Sequence, residues 1–188
     1  MARWKPNARS RLEQAALELY NERGFEQTTV VEIAARAGLT ERTFFRHFAD
    51  KREVLFGGAS ALQEILVKRV AEAPAALAPI DAVVTALAAV EVFSSERRDH
   101  ARERQRIIAA NAELQERELM KLASMSAALA EALRGRGVGD PAASLTADAG
   151  MAIFKAAVEH WVDEANQRDF RGLVQTALDE LRAVIAYQ

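Results

Sequence analysis

The chain of 188 residues contains no cysteine. Disulfides, thiol nucleophiles and cysteine-ligated zinc are therefore excluded. The sequence also has no apolar run long enough to cross a bilayer and no hydrophobic signal core after its first residues, so we expect a cytoplasmic protein. Aromatic residues make up only 6% of the chain, and its many alanine, leucine, glutamate and arginine residues favour helices. We predict an all-α fold.

Residues typical of enzyme and metal sites are also scarce. The three histidines, His47, His100 and His160, do not form a metal-ligand pattern. His160 and Glu164 share a helix face at a spacing of four residues, but a pair of this kind is more typical of a surface contact than of a metal site. No Gly-x-Ser-x-Gly nucleophile motif occurs. An enzyme is the alternative function from a different class of protein. Because these patterns are missing, we expect no catalytic activity, no metal and no cofactor.

Residues 28–55 carry the most informative pattern, since several helix signals fall within this short block. Thr29 and Glu32 have the spacing of a capping box, and Gly38 is suited to ending the helix that they begin. Thr40 can cap the next helix almost immediately. Two short helices joined by a glycine turn predict a helix-turn-helix, whose second helix enters the DNA major groove.

This block resembles the TetR-type transcriptional regulators. The resemblance rests on three short runs and a lysine in the order in which the family has them, namely Gly38-Leu39-Thr40, Thr43-Phe44-Phe45, His47-Phe48 and Lys51. Matching positions upstream extend it over about the first third of the chain. Phe45 stands where the family usually has tyrosine, so a hydroxyl contact to phosphate is absent. The resemblance implies a DNA-binding domain followed by a helical ligand-sensing domain whose last two helices form a dimer interface.

The candidate DNA contacts follow from position. Thr28, Thr29 and Thr40 lie at predicted helix starts, where hydroxyls and free N–H groups suit phosphate oxygens as well as ordinary capping. Phe44 and Phe48 share the inward face of the predicted recognition helix, about 40–48. The remaining side chains of that helix can face DNA, and they are Glu41, Arg42, Thr43, Phe45, Arg46 and His47.

Arginine can bridge guanine O6 and N7, and threonine and phenylalanine can contact a thymine methyl. The resemblance implies that residues 41, 42, 43 and 46 read bases, while His47 and Lys51 grip phosphate.

Charge is unevenly distributed along the chain. The net charge is −2, but residues 1–56 carry ten basic and eight acidic residues. Arg3, Lys5, Arg9 and Arg11 precede the first acid. They form a basic arm that suits phosphates or the minor groove, and a solvated terminus is the alternative interpretation.

The remainder of the sequence predicts further helices. We expect helix 1 over 8–23, helix 4 from Asp50 to about Val70, and a helix over about 79–95. Residues 96–106 form a charge run that we expect to be mostly a solvated helix surface. One long helix or two abutting ones should cover 106–134. A glycine-rich loop should separate these from helices over about 142–165 and 169–186. We place a DNA-binding domain at 1–55 and a ligand-binding and dimerisation domain at 56–188.

The second domain offers weaker signals. Large apolar side chains are candidates to line a ligand cavity, since methionine adapts its shape to varied ligands, although core packing is the more usual role for any one of them. They are Phe93, Met120, Met125, Met151, Phe154 and Trp161. Lys155 or Arg104 is a candidate to meet an acidic head group. Residues 107–121 resemble the acyl-CoA-type sensing domains of the family. Val158 and Leu178 represent the predicted dimer interface.

Together these features predict a ligand-responsive transcriptional regulator that binds a palindromic operator in double-stranded DNA as a homodimer. We expect a repressor that a small, largely apolar effector releases. The alternative is an architectural helix-turn-helix protein without a ligand switch.

Overall fold

A computed structural model describes residues 7–186, and in this range the regular secondary structure is helical throughout. The predicted all-α class is confirmed. Two short 3₁₀ turns, Glu53–Phe56 and Ser95–Arg97, lie between α-helices. The α-helices of this range are α1 (Ala8–Arg23), α2 (Val30–Arg36), α3 (Glu41–His47), α4 (Ala59–Ala71), α5 (Pro79–Ala88), α6 (Arg98–Ala109), α7 (Ala112–Gly135), α8 (Ala142–Val162) and α9 (Phe170–Ala186). None of them is both long and apolar enough to span a membrane.

The described chain divides into two compact units. The first contains residues 7–58 together with 103–118, and the second contains 59–102 together with 119–186. The predicted boundary after residue 55 lies close to Gly58, after which the chain first passes from one unit to the other. Residues 103–118 return to the first unit, whereas the prediction divided the chain into two consecutive segments. Helices α6 and α7 therefore each belong partly to one unit and partly to the other.

Helix starts in the first unit follow the capping residues. The Glu32 N–H donates to the Thr29 hydroxyl at 3.3 Å, and the Thr29 N–H donates to the Glu32 carboxylate at 2.9 Å, which completes the predicted capping box. Thr40 accepts from the Thr43 N–H at 3.2 Å. These bonds satisfy N–H groups that have no partner inside the helix. The predicted bounds of the first helix, 8–23, are confirmed, and those of the recognition helix, about 40–48, are confirmed to within one residue.

The predicted fourth helix is wrong in its first turns. The Asp50 carboxylate accepts the backbone N–H groups of Arg52 at 2.8 Å and Glu53 at 3.1 Å, but the turn that it begins is a 3₁₀ turn ending at Phe56. The α-helix that follows starts only at Ala59.

Gly57 is a point of close contact with α1. Its carbonyl accepts a hydrogen bond from the Arg9 guanidinium. A Cβ at this position would lie 3.2 Å from the Phe48 ring and still closer to the Glu13 carboxylate. A larger residue would therefore displace the ends of the Glu13 and Arg9 side chains and crowd the Phe48 ring.

The second unit has one continuous apolar core, to which α4, α5, α7, α8 and α9 contribute. Its most deeply buried large side chains are Leu66, Val70, Val83, Leu87, Leu129, Leu133, Trp161 and Val174. Helices α5 and α8 approach closely at Gly150, where a Cβ would lie 2.5 Å from the Val83 side chain. Helix α5 ends at Ala88, earlier than the predicted end near 95, and the chain continues in turns to Ser95.

The charge run over 96–106 is helical from Arg98, but the prediction of a mostly solvated surface is wrong for three of its arginines. Arg98 and Arg102 each donate at 2.8 Å to backbone carbonyls at the end of α8 or in the loop after it. In the first unit, Arg104 donates to the Leu55 carbonyl at 2.6 Å. Backbone carbonyls that lack helix partners attract these guanidinium groups out of solvent.

Candidate nucleic-acid interface

Helices α2 and α3 form the helix-turn-helix of the first unit. Gly38 has a φ of +63°, a left-handed conformation that glycine adopts without a Cβ penalty, and the next N–H returns to the Ala34 carbonyl at 2.8 Å. Ile33 and Phe44 are fully buried, and Phe48 is nearly so. These side chains fix the inward faces of the two helices. The opposite face of α3 is therefore held rigidly toward the outside.

Helix α1 supports this pair of helices. The Tyr20 hydroxyl donates to the Lys51 carbonyl at 2.6 Å, and the Tyr20 ring meets Phe25 edge to face. Burial, together with the charge of Asp50, raises the pKa of the Tyr20 phenol well above its ordinary value. Tyr20 is therefore a neutral hydrogen-bond donor that ties α1 to the segment after α3.

The outer face of α3 carries the predicted recognition residues. Glu41, Arg42, Phe45 and Arg46 are exposed, and half of the Phe45 surface is accessible. Thr43 is half-buried, and its hydroxyl lies 3.0 Å from that of Thr40. The structure thus brings most of the predicted recognition residues to one exposed surface, which we call the reading face (Glu41, Arg42, Thr43, Phe45 and Arg46).

Arg42 and Arg46 differ from the other cations of residues 7–58. Within the described part of the chain neither has a hydrogen-bond or ion-pair partner, whereas the others are engaged. Arg23 pairs with Glu32 at 2.6 Å, and Arg36 pairs with Glu22 at 2.7 Å. Two positive charges without counter-ions on an exposed helix are what phosphate or guanine recognition requires.

The described part of the predicted basic arm is used inside the unit. Arg9 donates to the Gly57 carbonyl, and its guanidinium lies over the Phe48 ring at 5.1 Å. Arg11 donates to the Ala37 carbonyl, next to the turn of the helix-turn-helix. Arg3 and Lys5 lie outside the described residues.

Two predicted phosphate contacts have other partners in the structure. Thr28 is buried, and its hydroxyl donates to the Gly24 carbonyl at 2.8 Å. The Lys51 ammonium donates to the carbonyls of Phe25 at 2.9 Å and Thr28 at 3.2 Å, and it lies 4.3 Å from the Phe25 ring centre. The loop between α1 and α2 directs its carbonyls inward, and these two side chains satisfy them. We therefore assign both to loop closure.

The remaining candidates are placed differently. Thr29 and Thr40 stay exposed at the starts of α2 and α3, where capping leaves them accessible. His47 is half-buried beside Phe48, and its Nε2 is buried without a hydrogen-bond partner in the described structure. His47 is therefore less accessible to a DNA phosphate than we predicted.

Residues 103–118 support the C-terminal end of the 7–58 segment within the first unit, a role that the sequence did not predict. Arg104 pairs with Glu118 at 3.4 Å and lies over the Phe56 ring at 5.0 Å. Arg117 pairs with Glu53 at 2.5 Å. Burial lowers the pKa of Arg104, and the charge of Glu118 opposes that shift. Because Arg104 lies 49 residues from Leu55 in the chain and Arg117 lies 64 residues from Glu53, no local pattern could identify these contacts.

The second unit brings three of the six predicted ligand residues together. Phe93 meets Phe154 at 5.7 Å and Trp161 at 5.2 Å between ring centres. Phe170, which the prediction left out, stacks on Phe93 at 4.0 Å. We call these four residues the aromatic cluster.

The other predicted ligand residues lie apart from the aromatic cluster or in the core. Met125 and Met151 are buried among core side chains, and Met120 is more than half exposed. The predicted head-group contacts have other partners, since Lys155 is exposed beside Glu159 at 3.8 Å and Arg104 belongs to the first unit. A surface groove of about 570 Å³ along α7 contains none of the six.

The two predicted dimer residues are not exposed. Leu178 is 3% accessible and belongs to the core, while Val158 is half-buried and packs against that core. The apolar periodicity of α9 reflected intramolecular packing at this position. Exposed apolar side chains do occur on both helices, at Leu145 of α8 and at Val184 and Ile185 of α9.

A rigid helix-turn-helix with a cationic reading face defines a DNA-binding protein of the helix-turn-helix class. Comparison with protein families specifies it further. Residues 13–56 match the family described as bacterial regulatory proteins of the tetR family, and residues 77–186 match the MftR C-terminal domain. The second match covers more than half of the chain. The chain therefore belongs to the TetR family of transcriptional regulators.

Individual relatives agree with this assignment. The chain is 42% identical to the HTH-type transcriptional regulator TcmR of Streptomyces glaucescens over 82 residues, which are 44% of this chain but only 36% of TcmR. It is 27% identical to the transcriptional regulator MftR of Mycobacterium tuberculosis over 80% of this chain and 78% of MftR. A solved complex of SmeT with triclosan has a TM-score of 0.65 at 21% identity, covering 95% of this chain and 91% of SmeT. SmeT is the repressor of a Stenotrophomonas maltophilia multidrug efflux pump.

Proposed function

We propose that this chain is a cytoplasmic, ligand-responsive repressor that binds a palindromic operator as a homodimer. The observation that carries the proposal is the pair of arginines without counter-ions, Arg42 and Arg46, on the exposed face of α3. Glu41, Thr43 and Phe45 complete the reading face, and Thr29 and Thr40 contact phosphate at the helix starts. A bidentate arginine–guanine contact discriminates between bases by roughly 1–3 kcal/mol.

Dimerisation follows from the geometry of helix-turn-helix recognition. One reading helix covers only a half-site, and dimers place two copies one helical turn apart, roughly 34–36 Å. An apolar stripe on α8 supports a self-complementary interface. Its members recur at spacings of four, three and four residues and are exposed or half-buried, and they are Leu145, Ala149, Ala152 and Ala156. Val184 and Ile185 extend the exposed apolar surface on α9.

The operator is tested by enriching the chain's preferred sites from a random pool of DNA duplexes. We expect an inverted repeat whose two half-sites are centred one helical turn apart. Inserting about half a turn between the half-sites should abolish tight binding, because the two reading faces then point to different sides of the duplex. Enrichment of a single unpaired motif would contradict the dimeric mode.

The interface is tested with Ala152→Glu, which places a charge in the middle of the α8 stripe. Sedimentation should then report monomers that remain helical but lose operator affinity. Ala61→Glu makes the same change at an exposed position of α4 and should leave the dimer intact. Leu178→Glu is unsuitable, because it would disrupt the core rather than an interface. A dimeric Ala152→Glu variant would place the interface elsewhere.

Ligand response is the part of the proposal that separates a switchable repressor from an architectural DNA binder. The fold shared with SmeT, which was solved with triclosan, supports a small-molecule site in the second unit. A coupling of roughly 1–3 kcal/mol would lower operator affinity by about 5–150-fold. Calorimetry with acyl-CoA, fatty-acid and aromatic candidates should then give different affinities with and without operator. If the affinities are identical for a ligand that binds, the chain has no such switch.

A further inference from the structure

Three side chains of the aromatic cluster belong to α-helices, and the fourth belongs to a segment outside the helices. Phe154 and Trp161 lie on α8, and Phe170 begins α9. Phe93 follows the end of α5 and precedes the 3₁₀ turn at Ser95. The three helical residues are buried, whereas Phe93 is only half-buried. The ring of Phe93 thus occupies a space whose walls belong to helices while its own backbone does not.

The geometry of Phe93 shows what fits in this space. Its ring lies 4.0 Å from that of Phe170 at an interplanar angle of 19°, and it meets Trp161 at 88°. One stacked and one edge-to-face contact are the preferred arrangements of aromatic pairs. The walls therefore accept a single flat six-membered ring.

Arg98 adds an unsatisfied positive group beside these walls. Its guanidinium lies 5.5 Å from the Trp161 ring centre, and its two terminal nitrogens donate to the carbonyls of Asn166 and Arg168 at 2.8 Å each. Its Nε is buried and has no hydrogen-bond partner in the described structure. No carboxylate of the described chain pairs with this cation. A buried donor without an acceptor is costly, and an anionic acceptor would relieve that cost most strongly.

We propose that Phe93 is an internal occupant of a binding site for small aromatic carboxylates. The ligand ring takes the place of the Phe93 ring against Phe154, Trp161 and Phe170, and the ligand carboxylate accepts a hydrogen bond from Nε of Arg98. This inference rests on the proposed ligand response and names its chemical class. The exchange of one ring for another preserves the aromatic contacts, and the carboxylate supplies the acceptor that Arg98 lacks.

The test follows the fluorescence of Trp161 in a Trp4→Phe background, which leaves Trp161 as the single tryptophan. Phenylacetate is titrated against its neutral isostere phenylacetamide. In the Phe93→Ala variant the occupant is gone, so phenylacetate should bind at least about tenfold more tightly than in the unchanged chain. It should also bind about tenfold more tightly than the amide, since a charged acceptor forms the stronger hydrogen bond.

Two further variants separate this site from a simple cavity. Phe154→Ala is the matched control, because it removes a wall and leaves the occupant, and it should gain no affinity. Arg98→Met should remove the preference for the acid while the ring still binds. Equal binding of acid and amide by Phe93→Ala, or an equal gain in Phe154→Ala, would overturn the proposal.

The unchanged chain keeps the test decisive if Phe93→Ala does not fold. At millimolar concentrations, phenylacetate should then quench Trp161 of the unchanged chain more than phenylacetamide does, and Arg98→Met should abolish this excess. No response of Trp161 to either compound would refute the site.

Operator binding is measured separately. If phenylacetate binds with unchanged operator affinity, the site stands and the ligand-responsive function falls. Another ligand could release the operator without changing Trp161 fluorescence, and with the same effect in Arg98→Met. The ligand-responsive function would then stand and this site would be wrong.

Discussion

Arginines are prominent on α3 and on α6, and the two groups have opposite surroundings. Arg42 and Arg46 on α3 are exposed and have no partner within residues 7–186. Arg102 and Arg104 on α6 each donate to a backbone carbonyl, at 2.8 and 2.6 Å respectively. In our proposal the same residue type therefore serves recognition on α3, while on α6 it supports the fold. What separates the two roles is the supply of nearby acceptors, because a guanidinium with satisfied donors has little left for a phosphate or a base.

The largest effect on stability should come from the supporting group. Arg104→Met leaves the Leu55 carbonyl without its donor and the half-buried Glu118 without its counter-ion. We expect the free energy of unfolding to fall by about 2–4 kcal/mol in urea titrations followed by circular dichroism. Arg97→Met, at an exposed position in the 3₁₀ turn just before this helix, should change it by less than about 0.5 kcal/mol. Equal effects of the two changes would show that the surroundings of Arg104 do not matter.

The reading face should show the reverse behaviour. Arg46→Ala should leave the free energy of unfolding unchanged while weakening operator binding by roughly 1–3 kcal/mol, and binding to random DNA by less, because a base contact is lost. Fluorescence anisotropy with both DNAs measures the difference. An equal loss on the two DNAs would show that Arg46 contacts phosphate and reads no base.

Asp50 tests the acidic side of the supporting contacts. Burial disfavours its charged form, but hydrogen bonds from the Arg52 side chain and from two backbone N–H groups outweigh that effect and lower its pKa. A carboxyl group whose pKa is lowered by folding stabilises the fold above its unfolded pKa of about 3.9, and it loses that contribution as the pH falls through the folded value.

Asp50→Asn should therefore cost up to about 1 kcal/mol at neutral pH, because it loses the charge that the Arg52 contact uses, and this difference from the unchanged chain should disappear in strong acid. Urea titrations at a series of pH values measure it. Asp99→Asn, at a largely exposed position, is the control. A cost for Asp50→Asn that stayed the same down to the lowest pH would mean that its charge is not involved.

The smallest effect should come from an exposed ion pair. Arg23→Ala removes a contact of 2.6 Å to Glu32 in which both side chains are about two-fifths accessible. Because solvent screens such pairs, we expect a loss of about 0–1 kcal/mol in the free energy of unfolding. The ratio of operator to random-DNA affinity should not change. A large change in that ratio would extend the reading face to α2.

Local signals were sufficient for the helix-turn-helix. Thr29, Glu32, Gly38 and Thr40 act on backbone groups within four residues of themselves, so their spacing alone predicted where α2 and α3 begin and end. The inward positions of Phe44 and Phe48 followed from helical periodicity, which also left the reading face outside.

The parts that sequence could not give depend on contacts between distant segments. The carbonyls that attract Lys51 belong to the loop before α2, and the partner of Arg104 lies on α7. Periodicity on α9 marked Leu178 as apolar, but it could not tell a core position from an interface position. The aromatic cluster likewise could not be predicted from local sequence, because Phe93 and Phe170 are far apart in the chain and meet only in the folded structure.

The most direct test of this account compares two double variants with the same loss of charge. Arg42→Ala/Arg46→Ala removes the arginines without partners, and Arg23→Ala/Arg36→Ala removes two that are paired with carboxylates. The measurement is the ratio of affinities for the selected operator and for a scrambled duplex at one salt concentration. We predict that the ratio falls toward one for the α3 variant, whose thermal unfolding is unchanged, and that the paired variant keeps the wild-type ratio. An α3 variant that retained the wild-type ratio would contradict recognition by these arginines.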